Sequence, residues 1–250
     1  MRFVRTLPVV AMVVSLAACA GGAPRGPSNT VIERALAQAP GEAQPSAIVA
    51  TEIAYAQAAQ EEGLFDAGRA FSLGNALQHA RSGPVPFAGL KGTLGGPDAA
   101  PEWTPRVVTL SCDGATAVSH GRFRDAEGLV GNYVTVWARQ PDLSYKWVYD
   151  VAGYDKPQPP VRPEFEDGEI VVTALNTIRG LAASCPRADA PVAAPPPLDI
   201  VDTQSGTQLS DDGTLRWHWV HQADGTRVIK ADYWYEGGWE SAIAESFAPQ

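Results

Sequence analysis

The chain is poor in the side chains that most often do chemistry. Its 250 residues include three cysteines, four histidines and two methionines. It contains no Cys-x-x-Cys, no His-Glu-x-x-His, no Walker loop and no Ser-x-x-Lys, which removes the familiar zinc, metalloprotease, phosphate-cradling and serine–lysine chemistries. Neither a metal nor a cofactor is expected. Positive charge is also short, with 19 basic residues against 28 acidic ones and a net charge of −9. Such a chain has no electrostatic footprint for nucleic acid, whose binding requires a basic patch. No apolar run after the first twenty residues approaches the roughly 20 residues needed to span a bilayer.

The N-terminus is where the chain is distinctive. Arg2 and Arg5 precede the apolar run Leu7–Ala18, and Leu16-Ala17-Ala18-Cys19 closes it. This is the layout of a secretory signal, too short for a membrane anchor. The closing tetrapeptide resembles the lipobox of bacterial lipoproteins, which implies cleavage before Cys19 and acylation of its thiol. Ordinary cleavage after Ala20 is the alternative, since Ala18-Cys19-Ala20 also fits a small-residue site. Ala20 follows the cysteine rather than Asp, and in Gram-negative lipoproteins this implies the outer membrane, facing the periplasm. Loss of residues 1–18 removes Arg2 and Arg5 and takes the charge from −9 to −11. Cys112 and Cys185 then form an even pair in an oxidising compartment, so a disulfide is expected; the alternatives are two buried thiols or a metal pair, the latter a poor zinc site without a nearby histidine cluster.

Five segments follow from composition and periodicity: the signal at 1–19, a Gly/Pro/Ala/Ser tether at 20–45, a main domain at 46–185, a proline-rich linker at 186–198, and a β-meander tail at 199–250. Within the tether, Val31–Gln38 carries a short helical pattern. Ser46 reads as an N-cap for a helix over Ala47–Glu61, with Val49, Ile53 and Ala56 as its apolar stripe and Gly63 as its stop. Leu64–Phe71 is a second helix, Ala76–Ala80 a weak strand and Pro84–Leu90 a short third helix. Strands are expected at Val107–Cys112, Thr116–Phe123, Leu129–Arg139 and Tyr145–Asp150, joined by polar turns as an antiparallel meander. Ile170–Gly180 reads as helix. Thr214–Gln222 and Thr226–Tyr235 flank the Ala223-Asp224-Gly225 turn as a hairpin, with Trp239–Phe247 as a further strand. The tail is expected to pack on the main domain or to build a small sheet with Leu198–Gln208.

Candidate chemistry is thin. Gly89, Gly92 and Gly95 lack the strand–turn–helix setting of a nucleotide loop, and Ser72 in Ala70–Gly74 lacks the strand that must precede a nucleophile elbow. His218 and His221 are three apart on a strand, so they point to opposite faces. His79 and His120 lie on strands and are candidates to line a pocket. Asp150 reads either as a turn-capping residue before Val151-Ala152-Gly153 or, if buried, as a base with a raised pKa. Trp217 and Trp219 share a strand face, and with Trp234 they read as packing or as an aromatic platform.

Several stretches carry a family resemblance: Glu52-Ile53-Ala54-Tyr55-Ala56-Gln57-Ala58-Ala59-Gln60-Glu61, Leu90-Lys91-Gly92, Ser111-Cys112-Asp113-Gly114, and Val134-Thr135-Val136-Trp137 followed by Tyr145-Lys146-Trp147-Val148-Tyr149-Asp150. Together with the element order they resemble the nuclear transport factor 2-like superfamily, also called SnoaL-like or ketosteroid-isomerase-like, and within it exported proteobacterial members. The resemblance covers residues 46–153 and extends less firmly to 185. It implies an α+β fold, a cone-shaped curved antiparallel sheet wrapped on the N-terminal helices, here with a C-terminal β-hairpin appendage. It also implies a pocket at the open end, with Tyr133, Trp137, Trp147 and His120 as lining residues. Around Phe71–Gln78 the chain has Gly74-Asn75 where relatives carry an acidic pair. The expected function is therefore a non-catalytic envelope lipoprotein that binds a small apolar ligand or an envelope protein, with a second copy of the chain as a further candidate partner. The alternative is an isomerase or dehydratase-like enzyme using Asp150, His120 or His79 in the same pocket.

Overall fold

The computed structural model describes residues 43–160, 177–187, 191–198 and 204–249. The signal, Cys19, the helical pattern at Val31–Gln38 and most of the Ile170–Gly180 segment lie outside these residues. Among the described residues no helix is long and apolar enough to cross a membrane.

Helix α1 (Pro45–Glu62) starts on Pro45, not on a Ser46 cap, and Ser46 lies inside it. Proline suits the first helical turn because its missing N–H would have no intrahelical partner there. The buried face carries Ile48, Glu52 and Ala59, with Tyr55 packed beside them. The expected stripe is thus rotated, and Ile53 is 47% exposed. Alanines surround this helix, so apolar spacing alone does not single out one face. At Gly63, φ is 92° and the N–H bonds to Ala59 O at 3.0 Å. That positive φ, which glycine adopts without strain, turns the chain into α2 (Leu64–Phe71).

Strand β1 (Ser72–Ala80) begins earlier than expected, and Ser72 follows a helix rather than a strand. The expected third helix is instead edge strand β2 (Gly83–Pro86) and a 3-10 turn at Phe87–Leu90. Pro84 and Pro86 are tolerated because β2 pairs on one side only. Four long strands follow as a meander: β3 (Glu102–Leu110), β4 (Thr116–Arg124), β5 (Val130–Arg139) and β6 (Tyr145–Tyr154). Arg179–Ala182 is strand β7, and its first two residues fall at the end of the expected helix Ile170–Gly180. It runs parallel to β3 and covers that strand's free edge. The sheet order is β2-β1-β6-β5-β4-β3-β7, parallel only at β1–β6 and β3–β7.

The tail is more than a hairpin. Strands β8 (Gln204–Leu209), β9 (Leu215–His221), β10 (Arg227–Tyr235) and β11 (Gly238–Phe247) form an antiparallel sheet in the order β11-β10-β9-β8. The mixed α+β molecule therefore has three layers. One face of the first sheet packs Val108, Leu110, Trp137 and Trp147 on Ile48, Phe65 and Phe87. The other packs Val118, Val134, Val136, Tyr149 and Val151 on Trp217, Ile229, Ala231 and Phe247 of the second sheet. Residues 46–185 and the tail thus share one buried cluster, in which Trp217 and Trp219 serve as packing. Cys112 and Cys185 are disulfide-bonded across 73 positions. Beside them Cys112 N donates to Thr214 Oγ1 at 2.8 Å and Asp113 N to Asp212 Oδ2 at 2.9 Å.

Candidate functional site

A single extra residue in β6 builds the site. Tyr145 and Trp147 face the helices, and strict alternation would place Tyr149 with them. Tyr149 and Val151 instead face the second sheet. Val136 and Trp137 are adjacent on β5, yet they pair with Tyr149 and Trp147, which leaves Val148 as a bulge. A bulge re-aims the side chains beyond it. Here it turns Asp150 and Ala152 to the helix side, where they line a cavity of about 410 Å³.

Six aromatic rings line it, Tyr55, Phe87, Trp103, Phe123, Tyr133 and Tyr154, with leucine and alanine side chains between them. Polar groups converge at Asp150. Thr135 Oγ1 donates to its Oδ2 at 2.6 Å and Gln78 Nε2 to its Oδ1 at 2.7 Å. Asp150 is partly exposed where it meets the cavity. Burial raises its pKa, while the Thr135 and Gln78 bonds and the charge of Arg227 pull the other way.

A second carboxyl stands behind the wall. Glu52 is 1% exposed. Ser119 donates to its Oε1, while the Trp103 indole at 3.1 Å and the Tyr133 hydroxyl at 3.0 Å share its Oε2. Burial pushes Glu52 up to about 7, opposed by the Ser119 and Tyr133 bonds and reinforced by the charge of Asp150. Tyr133 is itself raised by burial and by Glu52.

The structure brings together only part of the expected set. Asp150 and Tyr133 line the cavity, and Asp150 sits within a ten-residue strand, so it does not cap a turn. Trp137 and Trp147, expected as lining, are core residues. The Trp137 indole donates to Ser119 Oγ at 2.9 Å, and Trp147 meets the Phe87 ring edge-on at 4.8 Å. His120 faces the second sheet and lies 3.1 Å from Glu245 Oε1, away from the cavity. His79 also turns to that side, because its neighbour Gln78 faces the cavity. Its Nδ1 meets the Tyr149 hydroxyl, and its Nε2 lies 3.0 Å from His221 Nδ1. Burial, with His221 and Arg227 nearby, lowers His79 to about 3, so it is neutral at physiological pH. Among the described residues no group of three or more His, Cys, Asp or Glu could hold a metal ion.

Glu52, Gln78, Thr135, Tyr55 and Trp103 escape a reading of the sequence for catalytic motifs. Glu52 did carry a signal. It stands four residues after Ile48 and three before Tyr55, a carboxyl on a helical stripe that is otherwise apolar.

No family model and no curated protein matches the chain. Solved structures similar to it include a nuclear transport factor 2-like superfamily protein from Salmonella enterica serovar Typhimurium. That match has 13% identity and a TM-score of 0.34, over 50% of this chain and 96% of that one. A protein of unknown function with a cystatin-like fold from Methylobium petroleophilum matches at 11% identity and a TM-score of 0.31, over 50% of this chain and 82% of that one. No residue role follows from likeness at this level.

Proposed function

We propose that this chain is a lipid-anchored protein of the cell envelope whose cavity binds a small, largely apolar molecule. The observation that carries the binding role is Asp150, a partly exposed carboxyl lining a largely apolar cavity of about 410 Å³. That volume is of the size that holds small ligands, where apolar walls supply affinity and a few polar groups fix orientation. Each Å² of apolar ligand surface removed from water contributes about 25 cal/mol. The neutral aromatic amine aminoanthracene, whose fluorescence rises in apolar surroundings, tests the reading. Saturable binding is expected. Ala80→Trp, which places an indole in the cavity that Ala80 lines, should abolish binding without lowering the melting temperature. Binding that survives this variant would place the probe elsewhere.

The anchoring role rests on Leu16-Ala17-Ala18-Cys19. Two or more acyl chains hold a protein stably at a membrane. Cys19→Ser should move the protein from the membrane to the soluble fraction, and unchanged fractionation would refute the anchor.

One observation favours a second reading, an acid–base enzyme acting on the same ligand. Burial lifts both Asp150 and Glu52, bringing carboxyls toward the range useful for proton transfer near neutral pH. Turnover abolished by Asp150→Asn, with probe binding intact, would establish it.

A further inference from the structure

The hydrogen-bond inventory of the cavity is one-sided. Thr135 spends its hydroxyl hydrogen on Asp150 Oδ2. The Gln78 amide spends both of its own on Asp150, at Oδ1 and at the backbone carbonyl 3.3 Å away. The Trp103 indole and the Tyr133 hydroxyl both donate to Glu52. Tyr154 is turned to Asp125. Among the described residues that line the cavity, only the Tyr55 hydroxyl is a side-chain donor not bonded in this way, and none is a lysine, arginine or histidine.

What remains free is mostly acceptor. An ionised carboxylate offers about four lone-pair sites, and the two side-chain bonds to Asp150 leave about half of them for a ligand. A carboxylate or phosphate entering here would meet the charge of Asp150 with almost no donor to offset it. A ketone would find few partners. A ligand that brings its own N–H or O–H would complete the site. The walls add a second preference. Tyr55 and Trp103 meet edge to face at 4.9 Å, with Tyr133 and Phe123 also lining the cavity. Aromatic faces attract a cation by about 0.5–2 kcal/mol, most when water is excluded.

Building on the binding role above, we propose that the cavity is selective for organic ammonium ligands: protonated or quaternary amines with an apolar body, the cation against Asp150 and the body among the rings. Burial alone disfavours ionised Asp150, and an ammonium partner restores it. Affinity for such a ligand should therefore fall on acidification, as Asp150 takes up a proton; Glu52 behind the wall also gains a proton on acidification and Arg227 from the second sheet stays charged, so the Asp150→Asn comparison isolates the part that belongs to Asp150.

Displacement of aminoanthracene by three matched compounds tests this: naphthylmethylammonium, naphthylmethanol and naphthoate. The ammonium should displace the probe at about tenfold lower concentration than the alcohol, the expected scale of a charge-assisted contact with cation–π support, and naphthoate should be weakest. Asp150→Asn should still bind the probe but lose the preference for ammonium over alcohol. In the wild type that preference should also shrink as the pH is lowered from about 8 toward the ordinary carboxylate range, a readout that does not depend on the variant folding. Equal displacement by all three compounds, or an unchanged preference in Asp150→Asn, overturns the selectivity and leaves the pocket standing. Failure of the probe and all three compounds to bind overturns the pocket and the selectivity together.

Discussion

Replacing Glu52 by Gln should make the protein gain stability relative to the wild type as the pH rises. The carboxyl titrates at about 7 in the folded chain against an ordinary 4.5. Between those values the native state holds a proton that the unfolded chain has released, so wild-type stability falls as pH rises. At about 1.4 kcal/mol per pKa unit, the full effect above both values is roughly 3 kcal/mol. Gln removes the titration while keeping the side-chain length and one acceptor. It loses acceptor capacity for the Ser119, Trp103 and Tyr133 donors, a pH-independent cost of about 1–3 kcal/mol. The variant therefore starts less stable in acid and approaches or passes the wild type in alkali. Urea unfolding at several values between about pH 4 and about pH 8.5 measures this. The difference between the two proteins should change by about 3 kcal/mol across that span. A constant difference would mean that Glu52 is not raised. The charges of Glu52 and Asp150 are coupled, so removing one should also lower the pH at which the other titrates.

Three more outcomes follow from the packing. A chain ending after Cys185 exposes Val118, Val134, Val136, Tyr149 and Val151, at about 1.5–3 kcal/mol for each large apolar side chain; it should lose cooperative melting in calorimetry, and a sharp transition would show two independent units. Peptide mapping without reductant should recover the Cys112–Cys185 cross-link, and reduction should lower stability by about 2–4 kcal/mol. At Gly68 an added Cβ would lie 2.3 Å from the Phe87 ring, so Gly68→Ala should push that cavity wall inward. It should cost about 1–3 kcal/mol and weaken aminoanthracene binding more than Ala→Gly changes on exposed helix positions do.

Secondary structure was largely legible because its signals are local. The Gly63 stop, the turns at Asp113-Gly114 and Asp224-Gly225, and alternation along Val130–Arg139 each depend on a few neighbouring residues. Failures came where a distant partner decides. Arg179–Ala182 is a strand because β3 offers a free edge. The buried face of α1 is set by what lies beneath it, and that face carries Glu52 rather than Ile53.

The site shows the same division at higher stakes. Asp150 and Tyr133 are visible in the sequence as a carboxylate and an aromatic on strands. Their meeting depends on Val148, an ordinary valine whose neighbours give no sign of an inserted residue. Counting by twos from Tyr145 places Trp147 and Tyr149 on one face and leaves Asp150 opposite. The bulge reverses this from Tyr149 onward. It sends Tyr149 to pair with His79 between the sheets and brings Asp150 to the cavity with Thr135 and Gln78. The bulge forms where β6 must satisfy two neighbours at once: β5 on one side, and on the other β1, whose own register is irregular between Ser72 and Leu77. Both irregularities lie beside Gly74-Asn75, which are exposed. Gly74-Asn75 thus adjoin the place where the sheet shifts register. A deletion of Val148 tests this account directly: Tyr149 would then follow Trp147 in simple alternation, so Asp150 should stay on the cavity side and any ligand preference that depends on it should survive, whereas loss of that preference in a folded variant would refute the reading of Val148 as the one extra residue.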